Sequence, residues 1–234
     1  MDLEIFVKDA HQLIKEWAYT LLRTNIITLH LQPGTTISEA EIAEALQTSR
    51  TPIREAFIRL VEDGLLEIYP QRGSFVALID IEQAEEACFV RKVLGKAVLK
   101  EACHTFSEEC LLDLDANVKR QRLCQKNNDY EQLFQLDNDF HGLIYRGCCK
   151  ERVWLHLKKL NYNFDRLRII RLATGMCWDS IISGHERIAQ LIRKHDAAQV
   201  ESVIDEHLPK AFVLECIVRH PEYFKQDIRD YGVV

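Results

Sequence analysis

The stretch SRTPIREAFIRLVEDGLLEIYPQRGSFV, residues 49–76, carries one helix, one stop and one hairpin. A helix is expected from about Arg50 to Asp63. Pro52 falls in its first turn, where a missing N–H costs least. Gly64 ends it. Ile53, Phe57, Leu60 and Gly64 share one face, and Thr51, Arg54 and Glu55 point away from it. LLEIY (65–69), a PQRG turn (70–73) and SFVAL (74–78) then read as a two-stranded hairpin, with Gly73 able to take a positive φ.

Upstream, an amphipathic helix is expected over Val7 to Leu29. Leu13, Trp17 and Leu21, and Ile14, Ala18 and Leu22, repeat at four. LQPG (31–34) stops it. Ser38 precedes Glu41 by three residues, the capping-box spacing, so a short helix runs from there through Leu46. Thr48 and Ser49 break it. Three helices followed by a β-hairpin make a winged helix-turn-helix. Ser49 and Arg50 stand at the start of the third helix, where free N–H groups suit phosphate. An arginine in a major groove can bond guanine O6 and N7 together. Arg72, at the hairpin tip, is within reach of a phosphate or the minor groove. Residues 1–79 nevertheless hold 7 basic against 11 acidic side chains, net −4. The residues alone therefore leave two readings of Arg50 and Arg54: solvated surface, or a DNA-reading face.

Downstream the pattern changes. From Asp80 onward strand signals vanish and six helical segments follow: Asp80–His104, Ser107–Asn127, Asp129–Cys148, Lys150–Ala173, Trp178–His195 and Ala197–His220. The longest connection-free stretches allow a seventh by breaking in two. The chain is thus expected to be mainly α: a winged helix-turn-helix over 1–78, then an all-α six- or seven-helix bundle over 79–234. With 234 residues, 47% apolar and 28% charged, disorder is excluded. No apolar run approaches the ~18 residues of a membrane span, and the N-terminus MDLEIFVKDA lacks a signal-peptide pattern. Eight cysteines, none in CxxC and none before residue 80, read as reduced, mostly buried thiols of a cytoplasmic protein. The adjacent Cys148 and Cys149 read as a helix end, with a thiol sensor as the sharper alternative. The net charge of −6 argues against a general nucleic-acid coat protein, not against a local reader.

One constellation in the second part carries chemistry. Asp137 and His141 stand at i and i+4, so both leave the same helix face. His185 and His207 lie in later helices. Neutral imidazoles with a carboxylate suit Zn, Ni, Fe or Mn. Taken singly, a histidine on a helix is more often a structural or surface residue than a ligand. His11, His30, His104, His156, His195 and His220 have no comparable partner in the pattern and read as surface or core. A metalloenzyme is the rival from another class, but HERIA is not HExxH and no general base stands out. The expectation is no enzyme.

Residues 33–80, PGTTISEAEIAEALQTSRTPIREAFIRLVEDGLLEIYPQRGSFVALID, resemble the DNA-binding domain of the GntR family. The resemblance implies DNA contacts from Ser49, Arg50, Thr51 and Arg54 on the helix and from Gln71, Arg72 and Gly73 on the wing. Ala40 stands where some relatives carry a basic phosphate contact. The second part resembles the FCD effector domain of the FadR-like branch. That resemblance implies a metal site at Asp137, His141, His185 and His207, holding a divalent transition metal such as Zn, Ni or Mn. It also implies a small organic acid as effector. Arg91 matches an effector-domain arginine, but Gly95 replaces the acid often found four residues later. Arg91 is then left either to bind an effector carboxylate or to pair with another acid. The implied protein is a homodimeric repressor on an inverted repeat, released by its effector and with no membrane partner. The alternative is a metal that only holds a dimerisation body together.

Overall fold

The structure is a computed structural model and describes residues 3–175, 178–208 and 212–225. Contacts divide the chain into two compact units. One comprises the chain up to Ile81 together with the segment beginning at Ile217; the other is Glu82–Cys216. No helix among the described residues is long and apolar enough to cross a membrane.

The first unit holds α1 (Ile14–Ile27), β1 (Thr36–Ile37), α2 (Glu39–Ala45), α3 (Arg50–Glu62), β2 (Leu66–Tyr69) and β3 (Gly73–Val76). This is the expected winged helix-turn-helix with one strand more. β1 pairs antiparallel with β3, giving the order β1-β3-β2. Two residues are too short a strand to show a period of two, so sequence patterning missed it. Trp17, Ala18, Leu21 and Leu22 of α1 and Ile53, Ala56, Phe57 and Leu60 of α3 are buried, and α3 packs on α1 and α2. Ser38 caps α2 as its spacing predicts, accepting from the Glu41 N–H at 3.2 Å.

The first helix is shorter than the periodicity suggests. It begins at Ile14, not Val7, and Leu13 and Ile14 are exposed at 57% and 42%. The preceding segment runs along α1 instead of extending it. The buried Asn25 side chain bonds Glu4 in both directions, accepting from its N–H at 2.7 Å and donating to its carbonyl at 2.9 Å. Trp17 Nε1 donates to the Phe6 carbonyl at 3.1 Å. Satisfying that backbone through side chains replaces the helical turns. At the other end of the unit, Ile79 forms a parallel bridge with Phe224, itself buried.

The second unit is built from α4 (Ile81–Thr105), α5 (Glu108–Asn127), α6 (Tyr130–Gly147), α7 (Glu151–Leu160), α8 (Tyr162–Ala173), α9 (Trp178–Arg193) and α10 (Val200–His207), and α11 (Phe212–Arg219) follows. Among the described residues eight helices run from α4 onward, where six or seven are expected from the sequence. Lys150–Ala173 breaks at Asn161, a weak helix former. The segment expected over Ala197–His220 also divides, because Leu208 precedes Pro209 and leaves the helical region at φ −116°, ψ 64°. α6 supplies the centre of this unit, burying Leu133, Phe134, Leu136, Phe140, Ile144 and Tyr145.

Cys88, Cys103, Cys124, Cys148 and Cys216 are buried thiols and Cys149 is an exposed one. Cys177 lies outside the described residues. Burial pushes the Cys148 thiol up to about 11, and its Sγ points at the Val98 carbonyl. Such a thiol is poorly nucleophilic, and Cys148 is the C-cap of α6.

Candidate metal centre and nucleic-acid interface

α3 begins at Ser49, whose hydroxyl caps nothing, and its first turn holds no acid. Ser49, Arg50, Thr51, Arg54, Gln71, Arg72 and Gly73 are all exposed. Arg50 and Arg54 have no ion pair and no ring contact among the described residues. Arg59, one turn further on, is occupied, lying 3.9 Å over the Tyr19 ring. Glu55 is neutralised by Lys15 at 2.9 Å. The acid nearest the start of α3 in sequence is thus paired, and the helix's first turn holds none. On the wing, Gln71 and Gly73 both take positive φ, 62° and 104°. That turn lifts Arg72 to the tip beside Tyr69, whose ring packs edge-on against Phe75.

The second unit brings Asp137, His141, His185 and His207 together, with one ligand atom from each lying within 4.8 Å of all the others. Asp137 and His141 come from α6, His185 from α9, and His207 from the last residue of α10. His185 Nε2 is 3.5 Å from Asp137 Oδ1, His141 Nε2 is 3.9 Å from Asp137 Oδ2, and the Nε2 atoms of His141 and His207 are 3.3 Å apart. Ligands of one transition metal, each about 2.0–2.2 Å from it, lie roughly 3.0–3.5 Å from one another. The cluster comes close to that spacing. His185 Nε2 is buried with no hydrogen-bond partner, as a ligand nitrogen would be. A Cβ on Gly184 would sit 2.5 Å from His207 Nδ1, so only glycine lets His207 approach α9 here. The donor set therefore fits a divalent transition metal. Asp139 is exposed on another side of α6, and the six remaining histidines are all at least partly exposed.

Burial pushes the His185 imidazole down to about 4 and those of His141 and His207 well below their usual range, so all three are neutral at pH 7. Burial opposes the Asp137 carboxylate, but the charges of Arg168 and Arg91 outweigh it and hold it ionised. Neutral imidazoles and an ionised carboxylate are the forms that ligate metal. One pH dependence follows. The unfolded chain takes up protons near the ordinary imidazole value of 6.5, the folded one only near 4 at His185. Chelator-treated protein is thus fully stable above about pH 6.5 and loses stability as pH falls towards about 4. Thermal unfolding across that window should show the midpoint falling in wild type and falling less in His185→Ala. A flat wild-type profile would contradict the assignment.

Sequence reading missed three residues of the site. Arg168 of α8 donates to Asp137 Oδ2, to Asn138 Oδ1 and to Asp165 Oδ1. Gln121 of α5 holds His185 Nδ1 at 2.7 Å. Neither residue carries a recognisable spacing. Gly184 does carry a signal, a mid-helix glycine directly before a candidate ligand. Arg91 of α4 is 3% exposed, and its Nη2 lies 3.6 Å from Asp137 Oδ2. Asp137 thus supplies the acid that Gly95 does not, while Nε and Nη1 of Arg91 have no hydrogen-bond partner. A cavity of about 30 Å³ opens beside the cluster, lined by Arg91, Arg168, Arg171, Phe164, Ile181 and His207. That is room for a few atoms, under a positive potential.

An exposed winged reader with uncommitted arginines, joined in one chain to a helical unit with a buried four-donor cluster, is the architecture of a DNA-binding regulator. The model of the bacterial regulatory proteins of the gntR family matches residues 14–76, and that of the FCD domain matches residues 86–209. The chain is 31% identical over 197 residues to the HTH-type transcriptional repressor RspR of Escherichia coli, covering 84% of this chain and 86% of that one. It is 26% identical over 200 residues to the Nta operon transcriptional regulator of Aminobacter aminovorans, covering 82% and 90%. Among solved structures, E. coli McbR/YncC shares the fold with a TM-score of 0.74 at 18% identity, over 91% of this chain and 99% of that one. The chain belongs to the GntR family and carries an FCD domain. It is a DNA-binding transcriptional regulator, and its relatives are regulators, not enzymes.

Proposed function

We propose that this regulator is a homodimeric repressor, released from an inverted-repeat operator by a small carboxylate that binds at a metal centre in the helical unit. The observation that carries the reading is the buried convergence of Asp137, His141, His185 and His207 beside a cavity lined by arginines. Those four residues would hold a divalent metal such as Zn, Ni or Mn. When bound, the metal would supply a Lewis-acidic coordination position for an effector oxygen. Arg91, with two buried N–H groups lacking partners, would bind the effector carboxylate, since a buried unsatisfied donor is costly until an anion meets it. The small cavity and positive lining favour a compact organic acid over a large or apolar molecule.

On the DNA side, Ser49, Arg50, Thr51 and Arg54 would enter the major groove, and Gln71, Arg72 and Gly73 would track the backbone or minor groove. Two such readers related by a dyad match a palindrome. Domain boundaries near residue 78 suit this division, as does action in the cytoplasm, where the operator lies.

The test is fluorescence anisotropy on DNA flanking the protein's own coding region, with metal-loaded protein and a panel of small mono- and dicarboxylic acids. At least one acid should weaken DNA binding, and chelator-treated protein should not respond. The effect can be no larger than the acid's differential affinity for the free and DNA-bound arrangements. Metal that raises the unfolding temperature, with no acid altering either stability or DNA affinity, would favour a purely structural metal instead.

A further inference from the structure

His185 is held from behind by two amides whose orientation can be deduced atom by atom. Asn117 Nδ2 donates to the Leu136 carbonyl of α6 at 3.0 Å. A carbonyl only accepts, so the amide nitrogen of Asn117 must face it, and Asn117 Oδ1 must face the other way. Gln121 Nε2 meets that oxygen at 2.7 Å. Gln121 Oε1 is thereby turned towards His185 Nδ1, also at 2.7 Å. An amide oxygen accepts, so Nδ1 carries the proton and Nε2 carries a lone pair. Gln121, Asn117 and His185 are 0%, 6% and 0% exposed, so no water competes for these groups. The Phe140 ring, stacked on His185 at 4.2 Å, keeps the imidazole plane in place.

We infer that the Leu136–Asn117–Gln121 chain is a tautomer lock: it fixes His185 as the Nδ1–H form and so aims the Nε2 lone pair at Asp137 Oδ1. Gln121 and Asn117 are then positioning residues, acting through His185. The lone pair and the carboxylate oxygen face each other at 3.5 Å with no proton to share. A free histidine would relieve this by moving its proton to Nε2 and donating to Asp137. The lock forbids that move, so a cation is what the pair favours. The lock also starts beside Asp137, at the carbonyl of the preceding residue. This inference rests on the metal reading above only for its consequence; the tautomer itself is independent of it.

The experiment is long-range ¹H–¹⁵N correlation on histidine-labelled, chelator-treated protein, followed by titration with Zn, for wild type, Gln121→Leu and Gln121→Glu. Wild type should show His185 protonated at Nδ1. Gln121→Leu, which cannot accept, should shift it towards Nε2–H and weaken Zn binding about 10–100-fold, the usual loss for a partner behind a ligating histidine. Gln121→Glu still accepts from Nδ1 but loses the bond to Asn117 Oδ1, so it should keep the Nδ1–H tautomer and weaken Zn binding less than Gln121→Leu does. An Nε2–H signal in wild type would overturn the lock even if every variant misfolds. Gln121→Leu with unchanged tautomer and Zn affinity would overturn it as well. Nδ1–H in wild type without any Zn uptake would support the lock and overturn the metal reading.

Discussion

The double variant Arg50→Ala, Arg54→Ala should bind operator DNA at least about 30-fold more weakly than wild type while keeping its fold. The magnitude comes from the ~1–3 kcal/mol that each well-placed arginine contributes to base or phosphate recognition. Two such losses span about 30-fold to 10⁴-fold. Stability is spared because both side chains are exposed and touch no partner, and alanine is a strong helix former in α3. Anisotropy at two salt concentrations separates the roles. Each phosphate contact removed lowers the salt slope by about 1, whereas a lost base contact relaxes sequence preference instead. Arg59→Ala is the control, since Arg59 lies over Tyr19 within the domain. It should cost stability and leave DNA affinity nearly untouched. Wild-type affinity in the double variant would refute the reader assignment.

His185→Ala and His207→Ala should each reduce the metal content from the about one ion per chain expected of wild type to a small fraction, to be checked by elemental mass spectrometry on protein prepared without chelator or histidine tag. Removing one of four donors also strips the metal's contribution to stability. A ligand present at ~1,000 times its dissociation constant stabilises by about 4 kcal/mol. For a domain of this size that is roughly 8–16 °C in unfolding temperature. His207→Ala is the cleaner variant, because His207 is the more accessible of the two and closes the site from the end of α10. His185→Ala also leaves a cavity in the core, so its melting point falls even without metal. Metal retained in both variants, or absent from well-folded wild type after addition of Zn, Ni or Mn, would refute the centre. The DNA-binding result would stand, because it rests on another part of the chain.

Much of this protein follows from local sequence. The helix over 50–62 announces itself by Pro52 near its start, Gly64 after its end and three apolar residues, Ile53, Phe57 and Leu60, on one face. The hairpin follows from two short β-rich runs around PQRG. Asp137 and His141 could be paired on paper because the i, i+4 spacing is a property of any helix. Local rules failed where a competing partner decided the outcome. Residues 7–13 carry helical periodicity, yet Asn25 and Trp17 hold the preceding segment along α1. β1 is too short to leave a pattern.

The site divides the same way. Sequence alone determined the types of its donors and the helices that bear them. Only the tertiary structure decided that α6, α9 and α10 bring four donors within 4.8 Å, that Arg168 and Gln121 join them, and that Asp137 answers Arg91. Those residues lie tens of positions apart in the chain. Their meeting depends on helix packing, and through-space distance leaves no period in a sequence. The same holds for the charge on the reader. Composition set its net sign, but Lys15 and Tyr19 determine which charges are spent inside the domain, leaving Arg50 and Arg54 uncommitted.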